Sequence, residues 1–178
     1  DIVRAWRVLL AEADRFGRWS DAAIAWKDLL ATGRPVVAVI RIDGRLDEAQ
    51  VGALIDQVMA KVTAASGAVA ALQPGGALAG LEIDYDCPTS KLATYARFLA
   101  ALRDRLPRSL ALSITALPTW LNSRALESLA PPLDEIVLQV SAKTRLGIDT
   151  LLETLALQAE MRELKADPKK HGVGTVFE

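Results

Sequence analysis

The chain has 178 residues, 51% of them hydrophobic, and a formal net charge of −1. That suits one domain with a sizeable core, and it removes the electrostatic case for binding nucleic acid or anionic lipid. A lone cysteine, Cys87, excludes an internal disulfide framework, and a lone histidine, His171, excludes a multi-histidine metal site.

The elements follow in chain order. Residues 6–12 carry the apolar run Val8, Leu9, Leu10 and Ala11, which reads as a strand, although Ile2, Trp6, Leu9, Ala13 and Phe16 would also share a helical face. Residues 20–30 read as a crossover helix, with Ser20 as N-cap and Gly33 just beyond the end. Residues 35–42 are a β-branched run bounded by Gly33 and Gly44, the pattern of a buried strand. Asp47 then caps a helix on which Val51, Leu54, Ile55, Val58 and Val62 fall at helical spacing, with Gly67 as its stop. Residues 77–84 form the next strand. Thr89 or Ser90 caps a helix with Leu92, Tyr95, Ala96, Leu99 and Leu102 on one face. Residues 110–116 are a further strand, 123–129 a short helix, 135–140 another strand and 147–164 a long last helix.

Buried strands separated by helices imply a parallel sheet with right-handed crossovers. The expected fold class is α/β, with four or five parallel strands alternating with helices, too few to close an eight-stranded barrel. The expectation is a partial (β/α) barrel or an open three-layer sheet, in one α/β domain over 1–178. Open edges and an open inner face predict a homo-oligomer, a dimer or higher. No apolar run spans a bilayer, and no membrane partner is expected. The chain begins with Asp1 and shows no signal peptide, so it reads as a trimmed, processed or fragmentary chain, cytoplasmic if expressed as it stands.

The richest motif is Gly80, Leu81, Glu82, Ile83, Asp84, Tyr85, Asp86. Residues two apart on a strand share a face, so Glu82, Asp84 and Asp86 line up. In a β/α barrel that face is the interior, and the C-terminal end of the strand opens into the site. Carboxylates this close raise one another's pKa, which is how a general acid keeps its proton. The plainer alternative makes Glu82 and Asp84 buried hydrogen-bonded residues and Asp86 a loop cap.

Four segments carry a resemblance over residues ~6 to 140: residues 39–44 (Val-Ile-Arg-Ile-Asp-Gly), 80–90, 112–120 and 135–139. On them the chain resembles an uncharacterised bacterial family of glycoside-hydrolase-like barrel domains. More remotely, the acidic strand is similar to that of family-eighteen chitinases, with the pattern Asp-Gly-x-Asp-x-Asp-x-Glu and a final Glu that protonates the glycosidic oxygen. The resemblance implies that Asp86 takes the acid's place, with Asp84 as its carboxylate neighbour and Glu82 behind. The departure is Asp for Glu, one methylene shorter. The mapping also implies that Arg41, Asp43, Thr115, Trp120 and Gln139 stand at strand C-termini around one rim. There Trp120 would stack on a sugar ring, and Arg41 and Gln139 would contact substrate. On its residues alone, Trp120 reads as a packing anchor and Arg41 as the partner of an acidic neighbour.

A second resemblance covers residues 141–178. Val140-Ser141-Ala142-Lys143-Thr144, Gly147-Ile148-Asp149, Leu151-Leu152-Glu153 and Gly174-Thr175-Val176 are similar to the bacterial translation initiation factor two family. The resemblance implies that Ser141, Ala142 and Lys143 are the remnant of a guanine-contacting loop at the end of a GTPase domain. The residues themselves lack a phosphate loop of the form Gly-x-x-x-x-Gly-Lys-Ser/Thr, and Asn122, the only asparagine, does not sit in Asn-Lys-x-Asp. Without those contacts the loop is a strand-to-helix connection, and Leu151, Leu152, Leu155 and Ala159 pack the helix.

The functional expectation is a recombined or artificial α/β chimera, a barrel-derived segment 1–140 joined to a GTPase-derived 141–178, without native catalysis, metal or cofactor. The alternative is a degenerate glycoside-hydrolase-like domain that binds or cleaves a polysaccharide through Asp84, Asp86 and Trp120. A guanine-nucleotide-binding fragment stands third.

Overall fold

The computed structural model describes residues 5–43, 46, 48–120, 123–138, 140–141, 143–145, 147–149, 151–153 and 156. By its internal contacts the chain divides into two compact units, 1–139 and 140–178.

The first unit is built on six strands, β1 (Trp6–Ala13), β2 (Trp19–Asp21), β3 (Val36–Ile42), β4 (Gly80–Asp84), β5 (Ala111–Ala116) and β6 (Glu135–Leu138), in the sheet order β2-β1-β3-β4-β5-β6. The five strands from β1 through β6 other than β2 are parallel neighbours, and β2 pairs antiparallel with β1. Each parallel strand is added on the same side of the one before it. Crossovers of one hand then put their connections on one face, the winding of a β/α barrel rather than of a doubly wound sheet.

That covered face is the core. Ala38 and Ile40 of β3, Leu81 and Ile83 of β4, and Leu112 and Ile114 of β5 are buried in one cluster with the helices α2 (Val51–Leu72) and α3 (Leu92–Arg105). On α3 the buried residues are Leu92, Tyr95, Leu99 and Leu102, from the stripe its spacing predicts, together with Phe98, which it did not include, while Ala96 is only partly buried beside them. Each fully buried leucine there contributes about 1.5–3 kcal/mol.

The structure corrects several expected boundaries. Residues 20–30 are not one helix: Ser20 lies in β2, and the helix α1 spans only Trp26–Ala31. The cause is the turn at Asp14. Its Oδ1 accepts the backbone N–H of Phe16 and of Arg18, and Gly17 takes φ 77°, so the chain reverses and pairs with β1. Gly67 does not stop α2, which runs on to Leu72 because Ala65 and Val69 continue the buried stripe of Ile55, Val58 and Val62. One glycine costs a helix only about 1 kcal/mol, less than such burial contributes. A 3-10 turn over Thr89–Lys91 precedes α3, and no side chain caps it. Asp47 lies outside the described residues.

β3 is not buried on both faces: Val36, Ala38, Ile40 and Ile42 are buried, whereas Arg41 is exposed. Gly80 sits on that second, inner face, and a Cβ there would stand 3.0 Å from the Ala111 carbonyl oxygen. Glycine thus lets β4 run close against β5.

In the second unit, Ile148, Asp149, residues 151–153 and Ala156 are helical, within the expected last helix. Leu152, expected to pack, is exposed. Leu155 and Ala159 lie outside the described residues.

Candidate functional site

Strand register defines the inner face. Val39 of β3 stands beside Glu82 of β4, which stands beside Ser113 of β5 and then Glu135 of β6. One step nearer the C-terminal edge, Arg41, Asp84, Thr115 and Val137 form the next row, with Glu12 of β1 beside Arg41. Glu82 and Asp84 therefore share the inner face, and Asp86 is exposed just past the end of β4. The intervening Tyr85 and Cys87 are buried on the core side.

The three acids sit in different surroundings. Glu82 is buried and fully engaged. Arg7 Nε donates to its Oε2 at 2.6 Å, Ser113 Oγ to the same oxygen at 3.5 Å, and Thr115 Oγ1 to Oε1 at 3.2 Å. The Arg7 guanidinium is held more firmly protonated, chiefly by that bond to Glu82. Glu82 and Thr115 thus spend their polar atoms on each other, on Ser113 and on Arg7.

Asp84 is less provided for. Arg41 Nη1 stands 3.9 Å from its Oδ2, and Oδ1 is buried without a hydrogen-bond partner among the described residues. Burial first, and then the negative charges of Asp86 and Glu82, push its carboxyl above the ordinary aspartate value, while Arg41 pulls it down. The expected pairing of Arg41 with an acid is therefore seen, as a long contact on a half-exposed side chain.

Trp120 is corrected outright. It is fully buried, packs edge-on against Tyr95 at 6.1 Å between ring centroids, and donates its indole N–H to the Cys87 carbonyl at 2.9 Å. It anchors the loop after β5 to the loop after β4 and offers no face to a sugar. Asp43 is exposed beyond β3. Gln139 and Ala142 lie outside the described residues. Ser141 Oγ accepts the backbone N–H of Thr144 at 3.3 Å, and Lys143 is exposed.

Sequence reading missed Arg7 and Glu135. Arg7 Nη2 donates to Glu135 Oε2 at 2.7 Å, so one guanidinium joins β1, β4 and β6. The available signal was a charged residue inside an apolar strand, which demands a counter-charge. In a flat sheet β1 and β6 would be four strand spacings apart, roughly 19 Å. The bridge shows that the sheet curls about its inner face.

A singly wound sheet, curled about an acidic strand end and not closed, defines the class: a partial (β/α) barrel. The chain belongs to the family described as Domain of unknown function (DUF3142), whose profile matches residues 32–156. Its fold is similar to the Bacillus cereus spore cortex-lytic enzyme SleL, with a TM-score of 0.53 and 17% identity over 78% of this chain and 34% of that one. A short stretch is similar to translation initiation factor IF-2. It is 58% identical over 43 residues to that of Lactobacillus delbrueckii subsp. bulgaricus, covering 24% of this chain and 5% of that protein. It is 60% identical over 43 residues to that of Clostridioides difficile, covering 24% and 7%. The chain thus spans only a small part of the length of these curated relatives.

Proposed function

We propose that this chain is a glycoside-hydrolase-like barrel domain that acts on a polysaccharide through the acidic end of β4. The observation that carries the reading is Asp84: an under-bonded carboxyl at the C-terminal edge of the inner face, pushed toward its protonated form beside the exposed Asp86. β/α barrels work at that edge. Asp86 faces solvent, where a glycosidic oxygen can approach, and its charge is one of the causes that hold the Asp84 carboxyl above its ordinary value. Arg7 and Thr115 hold the Glu82 side chain in place behind them. The likeness in fold to a spore cortex-lytic enzyme supports a polysaccharide as substrate class.

The test is reducing-sugar release from chito-oligosaccharides and from spore-cortex fragments. Wild-type protein should release sugar, and Asp86→Asn should not. Equal release by both would overturn the assignment.

A second reading keeps the chain as a recombined barrel and GTPase fragment without catalysis. The compact-unit boundary after residue 139 and the 43-residue likeness to IF-2 favour it. The family match running through residue 156 weighs against a junction at Val140. This reading expects no sugar release from any substrate, and no rise in melting temperature with GTP, since GTP stabilisation would instead support the nucleotide-binding reading. Under either reading the ends of the sheet carry the expectation of self-association. A single-chain mass by light scattering at all concentrations would remove it.

A further inference from the structure

The cleft between the β1–β2 turn and the first turns of α2 takes no part in the site described above. It encloses about 870 Å³, a volume within the range of small-molecule sites. Its lining is mixed, and includes the charged Asp14 and Arg15. Ile42 and Leu54 are apolar, and around them stand two aromatic rings, Phe16 and Trp19, and two amides, Gln50 and Gln57.

Phe16 is 68% exposed on a backbone held by the Asp14 turn. Asp14 Oδ1 accepts its backbone N–H at 2.8 Å, and the guanidinium carbons of Arg15 and Arg18 lie 4.9 and 5.2 Å from its ring centroid. A phenyl ring this exposed contributes little to the core, so its removal bears on stability only weakly. Gln50 and Gln57 are exposed, and their side-chain amides make no hydrogen bond among the described residues. Trp19 likewise has a cation on its ring, with Lys61 Nζ 5.9 Å from the centroid. Aromatic rings set among amides and charged groups suit the C–H faces and hydroxyls of a pyranose. The cleft opens at the ends of β1 and β3, and β3 is the neighbour of β4. At the usual strand spacing it lies about 10 Å along the edge from the acidic end of β4.

We propose that this cleft is a glycan subsite, in which Phe16 and Trp19 stack on pyranose rings and Gln50 and Gln57 bond hydroxyls, so that a polysaccharide engaged at Asp84 and Asp86 extends across the end of β3 into it. The inference rests on the polysaccharide reading and names where the chain lies.

The test measures calorimetric binding of chitobiose and chitohexaose to wild-type protein, to Phe16→Ala, to the double variant Gln50→Ala/Gln57→Ala, and to Asp84→Asn. Phe16→Ala should weaken the hexaose about fivefold, the loss of one aromatic contact, and leave the disaccharide and the melting temperature unchanged. The double variant should do the same, and it carries the test if Phe16→Ala fails to fold. An equal effect on both lengths, or none, overturns the subsite. If the hexaose depends on Phe16 while Asp84→Asn leaves binding and sugar release untouched, the subsite stands and the acidic-end reading falls. If neither sugar binds the wild-type protein, both fall.

Discussion

Arg7 and Glu135 lie at opposite ends of the parallel run of strands, yet Arg7 Nη2 donates to Glu135 Oε2 at 2.7 Å. The same guanidinium bonds Glu82 on the strand between them at 2.6 Å. An arginine reaches from β1 to β6 only if the sheet bends around it. The bridge is thus both the sign of the barrel-like curl and part of what maintains it.

The two halves of that bridge should differ in worth. Glu82 has only 7% of its side chain exposed, while Glu135 has 60%. Arg7→Ala leaves a buried carboxylate without its cation and should cost about 2–3 kcal/mol, reduced from the full cost of orphaning a buried charge because solvent reaches Arg7. Glu135→Ala should cost under about 1 kcal/mol. Urea denaturation of both variants checks this, and equal costs would contradict it.

Trp120 should behave as core. Trp120→Phe should destabilise by about 1–3 kcal/mol, through lost volume and a buried Cys87 carbonyl left without its donor. With Trp6, Trp19 and Trp26 replaced by phenylalanine, the remaining emission should be blue-shifted and resist iodide. Quenching of Trp120 that sugar relieves would restore it as a binding surface.

Asp84 gives stability a pH dependence of unusual sign. Its folded carboxyl titrates above the unfolded value of about 3.8, so between the two values the folded state holds more protons than the unfolded one. Stability from this group is present below that window, falls as pH rises through it, and stays low above it. Asp84→Asn should therefore melt higher than wild type at pH 7, with the advantage fading toward pH 3. A lower melting temperature for Asp84→Asn at pH 7 would contradict the assignment.

Local pattern reached the architecture but not the pairings. The apolar run of β1, the β-branched run of β3 and the stripe of α3 declare themselves because periodicity is local. Ser20 misled because a serine before a mixed segment looks like a helix cap, whereas the Asp14 turn and strand pairing decided it. Alternation put Glu82 and Asp84 on one face, as register bears out. Their different fates depend on Arg7, which is 75 residues from Glu82 in sequence. No local pattern carries a contact of that range. Trp120 was legible as a packing residue from its own type, and only the barrel resemblance made it a sugar platform.

The central claim is that a polysaccharide is engaged at the end of β4. Calorimetric titration of millimolar chito-oligosaccharide into wild-type protein, Asp84→Asn and Asp86→Asn tests it most directly. The account predicts saturable binding to wild type that weakens in both variants, with the fold retained by circular dichroism. Wild-type protein that binds nothing, or variants that bind as tightly as wild type, would contradict it.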